Sequence, residues 1–416
     1  MHRTVQETGI AAKAAARTLM TASTAVKNKA LSAIAQALTD HMPQILSENA
    51  KDIAAGEQAG LTPSLLDRLR LTEQRVQGIA DAVREVVMLP DPIGRIDSGF
   101  VSPDGLRIQK TRVPLGVIAI IYEARPNVTV DAAVLCLKSA NAVILRGGKE
   151  ALCSNLCLAS IMRGAIATAG LDADCIQIIG DTARETATEL MRLNGYVDVL
   201  IPRGGAGLIS ACVKNATVPV IETGVGNCHV YVDSPCDLEM AADIIDNAKT
   251  SRPSVCNAAE TLLVHEAVAH QFLHMANALL QKKNVELRGC EQTRMILGDW
   301  VLPATEEDYA TEFLDYILAV KVVPSIDAAI QHIVQYSSGH SECIVTESLA
   351  NSERFVNEID AAAVYVNAST RFTDGGVFGL GAEIGISTQK LHTRGPMGLN
   401  ELTSVKYVIH GNGQIR

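Results

Sequence analysis

The sequence predicts an α/β protein built on two parallel, Rossmann-like sheets with a small β arm. Three observations carry that reading. From residue 116 onward, short runs of Val and Ile alternate with single helical segments, as parallel strands covered on both faces do. At 416 residues the chain is too long for one compact core. Only 4% of residues are aromatic, so Ala, Val, Ile and Leu must fill the interior, which suits sheets under closely packed helices.

Residues from about 5 to 90 read as helices. Ile34, Leu38, Ile45 and Leu46 recur at helical spacing, as do Leu65, Leu66 and Leu69. Pro90-Asp91-Pro92-Ile93-Gly94 closes this region, and 95–114 alternates polar with apolar residues as a hairpin arm does. The first α/β series is expected to place strands at 116–122, 142–146, 176–180, 197–201 and 218–222. Helices are expected between them at 131–139, 150–169, 184–194 and 207–214. A second series opens near His229, with strands at 229–232, 261–264, 317–323, 341–345 and 362–366. Residues 403–410 read as an appended strand. This outlines a nucleotide-binding architecture, although fold alone does not define a ligand.

The net charge of −10 opposes non-specific nucleic-acid binding and describes a solvated acidic surface. No basic-then-apolar secretion signal opens the chain, residues 1–20 reading as an Ala-rich helix, and no uninterrupted apolar run reaches membrane-spanning length. The 10 cysteines lack CxxC spacing, so zinc and a secreted disulfide framework are not expected. Reduced thiols and a cytoplasmic location are the expectation. His229, His340 and His392 lack metal-ligand spacing and read as structural, so no metal is expected.

Ser251-Arg252-Pro253-Ser254-Val255-Cys256-Asn257 is the most informative stretch. It lies between a polar helix end, Asn247-Ala248-Lys249-Thr250, and an apolar strand, Thr261-Leu262-Leu263-Val264. A Pro-broken turn holds a cysteine by its backbone, and nearby amides with Arg252 favour thiolate. Pro202-Arg203-Gly204-Gly205-Ala206-Gly207 follows another expected strand and opens a helix. Glycines there allow a pyrophosphate to approach N–H groups at the helix start, although the string is not GxGxxG.

The Cys256 stretch, with Ile221-Glu222-Thr223-Gly224-Val225-Gly226-Asn227-Cys228-His229 before it, resembles the gamma-glutamyl phosphate reductase (glutamate-5-semialdehyde dehydrogenase) family of the aldehyde dehydrogenase superfamily. The resemblance includes Arg112-Val113-Pro114-Leu115-Gly116-Val117-Ile118, Tyr122-Glu123-Ala124-Arg125-Pro126-Asn127-Val128-Thr129 and Ile144-Leu145-Arg146-Gly147-Gly148-Lys149. It continues through Tyr365-Val366-Asn367-Ala368-Ser369-Thr370-Arg371-Phe372-Thr373-Asp374-Gly375-Gly376 and Thr393-Arg394-Gly395-Pro396-Met397-Gly398-Leu399, covering nearly the whole chain.

The resemblance implies an aldehyde dehydrogenase-like fold divided into three. Residues 1–228 would carry the N-terminal helices and an NADPH-binding domain, with an arm near 95–115; 229–370 would be catalytic; 371–416 would return and end in an oligomerisation strand. In the superfamily that strand pairs with the arm across a subunit interface, so a homo-oligomer is implied. The implied reaction is NADPH-dependent reduction of L-glutamyl 5-phosphate to L-glutamate 5-semialdehyde and phosphate, in L-proline biosynthesis. Functional coupling to a glutamate 5-kinase, which would supply the substrate, is implied too.

By the same resemblance Cys256 is the thioester-forming nucleophile and Asn127 an oxyanion donor. Glu222 stands where aldehyde-oxidising relatives keep a water-activating base; here it is a proton shuttle, a thiol-activating base or a structural cap. Arg146, Gly147, Gly148 and Lys149, with Gly204 and Gly205, are the cofactor-binding set. NAD-preferring relatives place a glutamate on the adenosine ribose where this chain has Lys149, and an ammonium there, with Arg146, favours a 2′-phosphate. Arg125 and Arg252 are candidates for the substrate phosphate, and Ser369, Thr370 and Arg371, with Asp374, for the amino-acid head.

Three competing readings stand beside this one. An NAD(P)-dependent dehydrogenase oxidising a small aldehyde to the acid would share the fold, but Lys149 and Arg125-Pro126-Asn127 count against it. A cysteine hydrolase lacks a credible Cys–His pair and leaves the glycine loops unexplained. A nucleotide-binding scaffold without chemistry leaves the Cys256 turn an accident.

Overall fold

The computed structural model describes residues 3–416 and divides into two compact units. Residues 1 and 2, where the expected first domain begins, lie outside the described residues. The first unit comprises 1–223, 379–385 and 397–416; the second comprises 224–378 and 386–396.

The first unit is centred on a four-stranded parallel sheet. Its spatial order is Ile176–Ile178, Ala142–Arg146, Val117–Tyr122, Val199–Arg203. Alternation along each strand divides the interior in two. Ile118, Ile120, Val143, Leu145, Val199 and Ile201 enter one core, against Leu31, Ile34, Leu38, Ile45 and helix Pro126–Lys138. Val117, Ala119, Ile121, Ala142, Ile144 and Leu200 enter the other, with Val5, Ala12 and Leu190. Helix Leu152–Thr168 belongs to the first core. With the short turn before it, the stretch Lys149–Thr168 is apolar and long enough to cross a membrane, yet 56% of it is buried inside the fold, as a core helix is.

The strand expected at 218–222 does not form. Leu200 and Val220 make only an isolated bridge, because Pro219 has no N–H to donate; its carbonyl accepts from Leu200 and the ladder ends. The arm forms as expected, Ile96–Val101 pairing antiparallel with Arg107–Pro114. The strand Thr403–His410 pairs antiparallel with Arg107–Pro114 of the same chain, Thr403 opposite Pro114 and His410 opposite Arg107. The resemblance had implied a pairing across a subunit interface. The return of residues 397–416 to the first unit, anchored by buried Met397 and Leu402, brings the strand beside the arm of its own chain.

The second unit carries a seven-stranded parallel sheet. Its order is Leu302–Pro303, Glu286–Gly289, Ile317–Val323, Ala259–His265, Cys228–Val232, Ser341–Val345, Ala363–Val366. Val230, Leu262, Val264, Val320 and Val345 face helices Leu238–Thr250 and Glu266–Leu280. Tyr231, Leu263, Val323 and Ile344 face helices Ile326–Tyr336 and Leu349–Glu358. The strands Glu286–Gly289 and Leu302–Pro303 were not expected. Both are short segments without a Val or Ile run; Leu302–Pro303 is the edge strand and contains proline.

Candidate active site

In the second unit, Cys256 stands half-buried on the turn between helix Leu238–Thr250 and strand Ala259–His265. Several contacts fix that turn. Its carbonyl packs on Gly226, where an added Cβ would overlap the Cys256 backbone, and accepts from Cys228 Sγ at 3.1 Å. Asn257, buried beside it, donates to the carbonyls of Arg371 and Thr373, and Thr370 Oγ1 donates to the Asn257 carbonyl at 2.7 Å. Arg371 donates to Asn257 Oδ1 and, at 3.1 Å, to Ser251 Oγ. Thr370, Arg371 and Thr373 are therefore tied to the Cys256 turn by hydrogen bonds at Ser251 and Asn257.

Burial lowers the Arg371 pKa, and the positive charge of Arg252 adds to that, while Cys256 and Asp374 oppose it. Arg252, Arg371 and Cys256 thus share one electrostatic neighbourhood, with Ser369 and Thr370 beside them. Beneath the turn, Lys249 and Glu260 form an ion pair at 2.5 Å, both side chains fully buried. Glu260 also accepts the Leu314 N–H at 3.1 Å. Burial pushes Glu260 upward and Lys249 downward, and the pair's mutual attraction opposes both shifts. The signal for this pair was a carboxylate in an otherwise apolar strand run, which requires a buried partner.

A buried Cys–His contact does exist, but through Cys228, whose Sγ is 3.8 Å from His340 Nδ1. Burial pushes the Cys228 thiol well up, so it is no thiolate. His340 Nδ1 also meets Ser341 Oγ at 2.8 Å, and His229 meets Glu342 at 3.0 Å, both in the interior.

In the first unit, Asn127 lies in the first turn of helix Pro126–Lys138, the Pro126 ring starting the helix and Arg125 at its N-cap. Asn127 Nδ2 donates to Asp131 at 3.0 Å. Burial pushes Asp131 up to about 6, against the Asn127 bond and the charge of Arg203. Sequence reasoning missed Asp131, which reads as an ordinary first-turn carboxylate. Glu222 is partly buried beyond the Leu200–Val220 bridge.

The loops after the three neighbouring strands converge. Glu123 directly follows the central strand, and its carboxylate accepts the Gly205 N–H at 2.9 Å. A Cβ on Gly204 would lie 2.6 Å from that carboxylate, and one on Gly148 would lie 3.6 Å from Glu123 Cα. Gly147 packs on Asn155, whose Nδ2 is buried without a partner among the described residues. Arg146 donates to the carbonyls of Thr182 and Ala183 at 2.7 and 3.1 Å, and its Nε is likewise buried without a partner. Lys149 is exposed at the start of the short turn Lys149–Ala151. Asn127, Arg125, Glu222 and the glycine loops thus belong to one compact unit, and Cys256, Arg252 and Ser369–Arg371 to the other.

Glycine loops at the ends of parallel strands fit a dinucleotide-dependent oxidoreductase, and the chain belongs to the aldehyde dehydrogenase family, whose model matches residues 2–295. Narrower likenesses cover nearly all of it. The gamma-glutamyl phosphate reductase of Clostridium perfringens is 61% identical over 408 residues, 98% of each chain. That of Carboxydothermus hydrogenoformans is 60% identical over 97% of each. The crystal structure of gamma-glutamyl phosphate reductase from Thermotoga maritima superposes with a TM-score of 0.97 at 50% identity over the full length of both chains.

A reductase of this family uses a nicotinamide cofactor, and the first unit has the features to hold one. Two glycine loops bring bare backbone to the strand ends, a helix starts at Ala206, and two buried donors, Arg146 Nε and Asn155 Nδ2, lack acceptors among the described residues. Among the described residues no His, Cys, Asp and Glu cluster could hold a metal ion.

Proposed function

We propose that this chain is a glutamate-5-semialdehyde dehydrogenase that reduces L-glutamyl 5-phosphate with NADPH, releasing L-glutamate 5-semialdehyde and phosphate in L-proline biosynthesis. The identity of 61% across 98% of both chains to a gamma-glutamyl phosphate reductase carries the reading. Cys256 attacks the acyl carbon as thiolate, the C–O bond to phosphate breaks, and a thioester forms. Asn127 and a backbone N–H at Cys256 donate to the oxyanion; each such donor contributes about 10²–10³ in rate. A bound reduced nicotinamide supplies the hydride. Cys256 is released as thiolate when the resulting hemithioacetal collapses, and it needs no water-activating base, so Glu222 acts as a proton shuttle or cap.

Arg146, Gly147, Gly148, Lys149, Gly204 and Gly205 would hold the cofactor, and the Lys149 ammonium would favour a 2′-phosphate. Arg252 and Arg125 meet the acyl phosphate, and Ser369, Thr370 and Arg371 the amino-acid head. Residues 1–228 carry the cofactor loops together with Asn127 and Glu222, and 229–370 carry Cys256. The exposed Phe100, Val101, Tyr407 and Ile409 on the arm fit a homo-oligomer interface. The location is cytoplasmic, alongside a glutamate 5-kinase that supplies the unstable acyl phosphate.

The test is reverse oxidation of the semialdehyde. NADPH should form when phosphate is present and not when it is withheld. Fast, phosphate-independent formation, abolished in Glu222→Gln, would establish the hydrolysing alternative instead.

A further inference from the structure

Glu123 lies between the two glycine loops, its carboxylate against Gly204 and Gly205 and its Cα near Gly148. It leaves the central strand at its carboxyl end, where its N–H donates to the Arg203 carbonyl at 3.2 Å and its own carbonyl accepts from Arg125 N–H at 2.6 Å. Its backbone is therefore pinned, while its side chain is exposed. The carboxylate accepts the Gly205 N–H at 2.9 Å, and Gly205 is the N-cap of helix Ala206–Asn215. Glycine has no side chain with which to cap that helix, so Glu123 supplies the missing acceptor from a neighbouring strand. The helix N-terminus is positive, and a carboxylate satisfies it as a phosphate does. In the adjoining loop, the buried and unpartnered Nδ2 of Asn155 abuts Gly147, and Asn155 is only 1% exposed.

We infer that Glu123 is a resident anion, capping helix Ala206–Asn215 in the free enzyme and swinging away when the diphosphate of a nicotinamide dinucleotide takes the same N–H. This rests on the reading of the first unit as cofactor-binding. The carboxylate and the diphosphate are both anions and one N–H cannot serve both, so the cofactor's net affinity is its gross affinity less the loss of the Glu123 cap. Glu123 therefore sets how readily the cofactor is released, without touching the thiol chemistry. The pinned backbone and the exposed side chain permit this exchange, since only side-chain torsions need to change.

The experiment is equilibrium binding of NADPH, followed by its fluorescence, to the full chain, Glu123→Gln, Glu123→Ala and Glu150→Gln. Glu150 stands beside Arg146 electrostatically, and no bond joins it to Gly205 among those the structure gives, so its variant is a control for losing one negative charge. Glu123→Ala should bind NADPH about three- to tenfold more tightly, the span of a helix-terminus charge interaction, with Glu123→Gln between it and wild type. Glu150→Gln should change affinity by less than half as much on a logarithmic scale. Inorganic pyrophosphate, titrated as a competitor, should show the same ranking. Without ligand the thermal midpoint of Glu123→Ala should fall, and its rise on adding NADPH should exceed that of wild type. Unchanged or weaker NADPH binding in Glu123→Ala, or equal tightening in Glu150→Gln, overturns the inference; a tenfold weakening would mean that the carboxylate accepts from the cofactor. Failure of the unaltered chain to bind NADPH at all would instead sink the cofactor reading beneath it.

Discussion

Single residues decide the chemistry at two kinds of position. Cys256 is the chemical one: its replacement by serine substitutes an alkoxide precursor for a thiolate and an ester for a thioester. Cys256→Ser should keep NADPH affinity and the thermal midpoint while turnover falls by several orders of magnitude. Substantial residual activity would refute covalent catalysis at this sulfur. Gly226 is the geometric one. Its φ is not in the left-handed region, so conformation does not demand glycine; the demand comes from the Cys256 backbone lying where a Cβ would go. Gly226→Ala should shift the turn, since two backbones cannot both hold their places, and lower kcat by about 10²-fold, the scale of a 1 Å misplacement. A crystal structure of that variant with an unmoved Cys256, or unchanged kcat, would dispose of the argument. At Lys149, exposed at its turn, exchange for glutamate would, on the proposed cofactor reading, replace an attraction for a 2′-phosphate with a repulsion. The NADPH-to-NADH ratio of kcat/KM should fall at least tenfold, about 1.4 kcal/mol. An unmoved ratio would place the 2′-phosphate elsewhere.

At the scale of elements, the Cys256 turn depends on what ties its two ends together. Helix Leu238–Thr250 ends at Lys249 and Thr250, and strand Ala259–His265 begins within the next ten residues; the Lys249–Glu260 pair clamps the two across the turn. Removing one partner leaves a buried charge uncompensated. Lys249→Met should therefore lose about 3–5 kcal/mol of stability. Lys249→Met with Glu260→Gln removes both charges and keeps an acceptor for the Leu314 N–H, so it should regain more than half of that loss. Equal denaturant midpoints for the single and double variants would show that the cost is shape and not charge. A similar cross-element tie holds helix Leu152–Thr168, whose first turn donates to buried Asp52: Ser154 N–H at 2.8 Å and Cys153 N–H at 3.1 Å. That carboxylate comes from a helix about a hundred residues earlier, so the cap has no local sequence signature, unlike the Thr4–Glu7 capping box of the first helix.

For the whole molecule, Asp131 makes stability a function of pH. Its folded pKa of about 6 stands above its ordinary 3.8. Below 3.8 the group is protonated in both states and contributes nothing. Between the two values the native state retains a proton that the unfolded chain has released, so stability falls as pH rises. Above about 6 both forms are ionised and the penalty is constant, of order 2–3 kcal/mol. Asp131→Asn should therefore be more stable than wild type at pH 7, and the difference should vanish below about pH 4. Denaturant midpoints taken across that range test it, and a constant difference would remove Asp131 from the account.

The Val and Ile runs placed most strands of both sheets, because a strand covered on both faces must be apolar throughout; 142–146, 317–323 and 341–345 fall where the pattern puts them. The Cys256 turn was legible for a local reason too, a proline-broken connection between helix and strand. The strands Glu286–Gly289 and Leu302–Pro303 near the sheet's end were not, since segments this short carry no apolar run. Pro219 ended an expected strand because a missing N–H outweighs a run of apolar side chains. Only the tertiary structure decided that Glu260 faces Lys249, that Gly226 lies beneath Cys256, that Glu123 caps a helix eighty residues away and that the last strand pairs within its own chain. Each is a contact between different elements of the fold, where pattern along the chain does not say which partner a buried or backbone polar group will find.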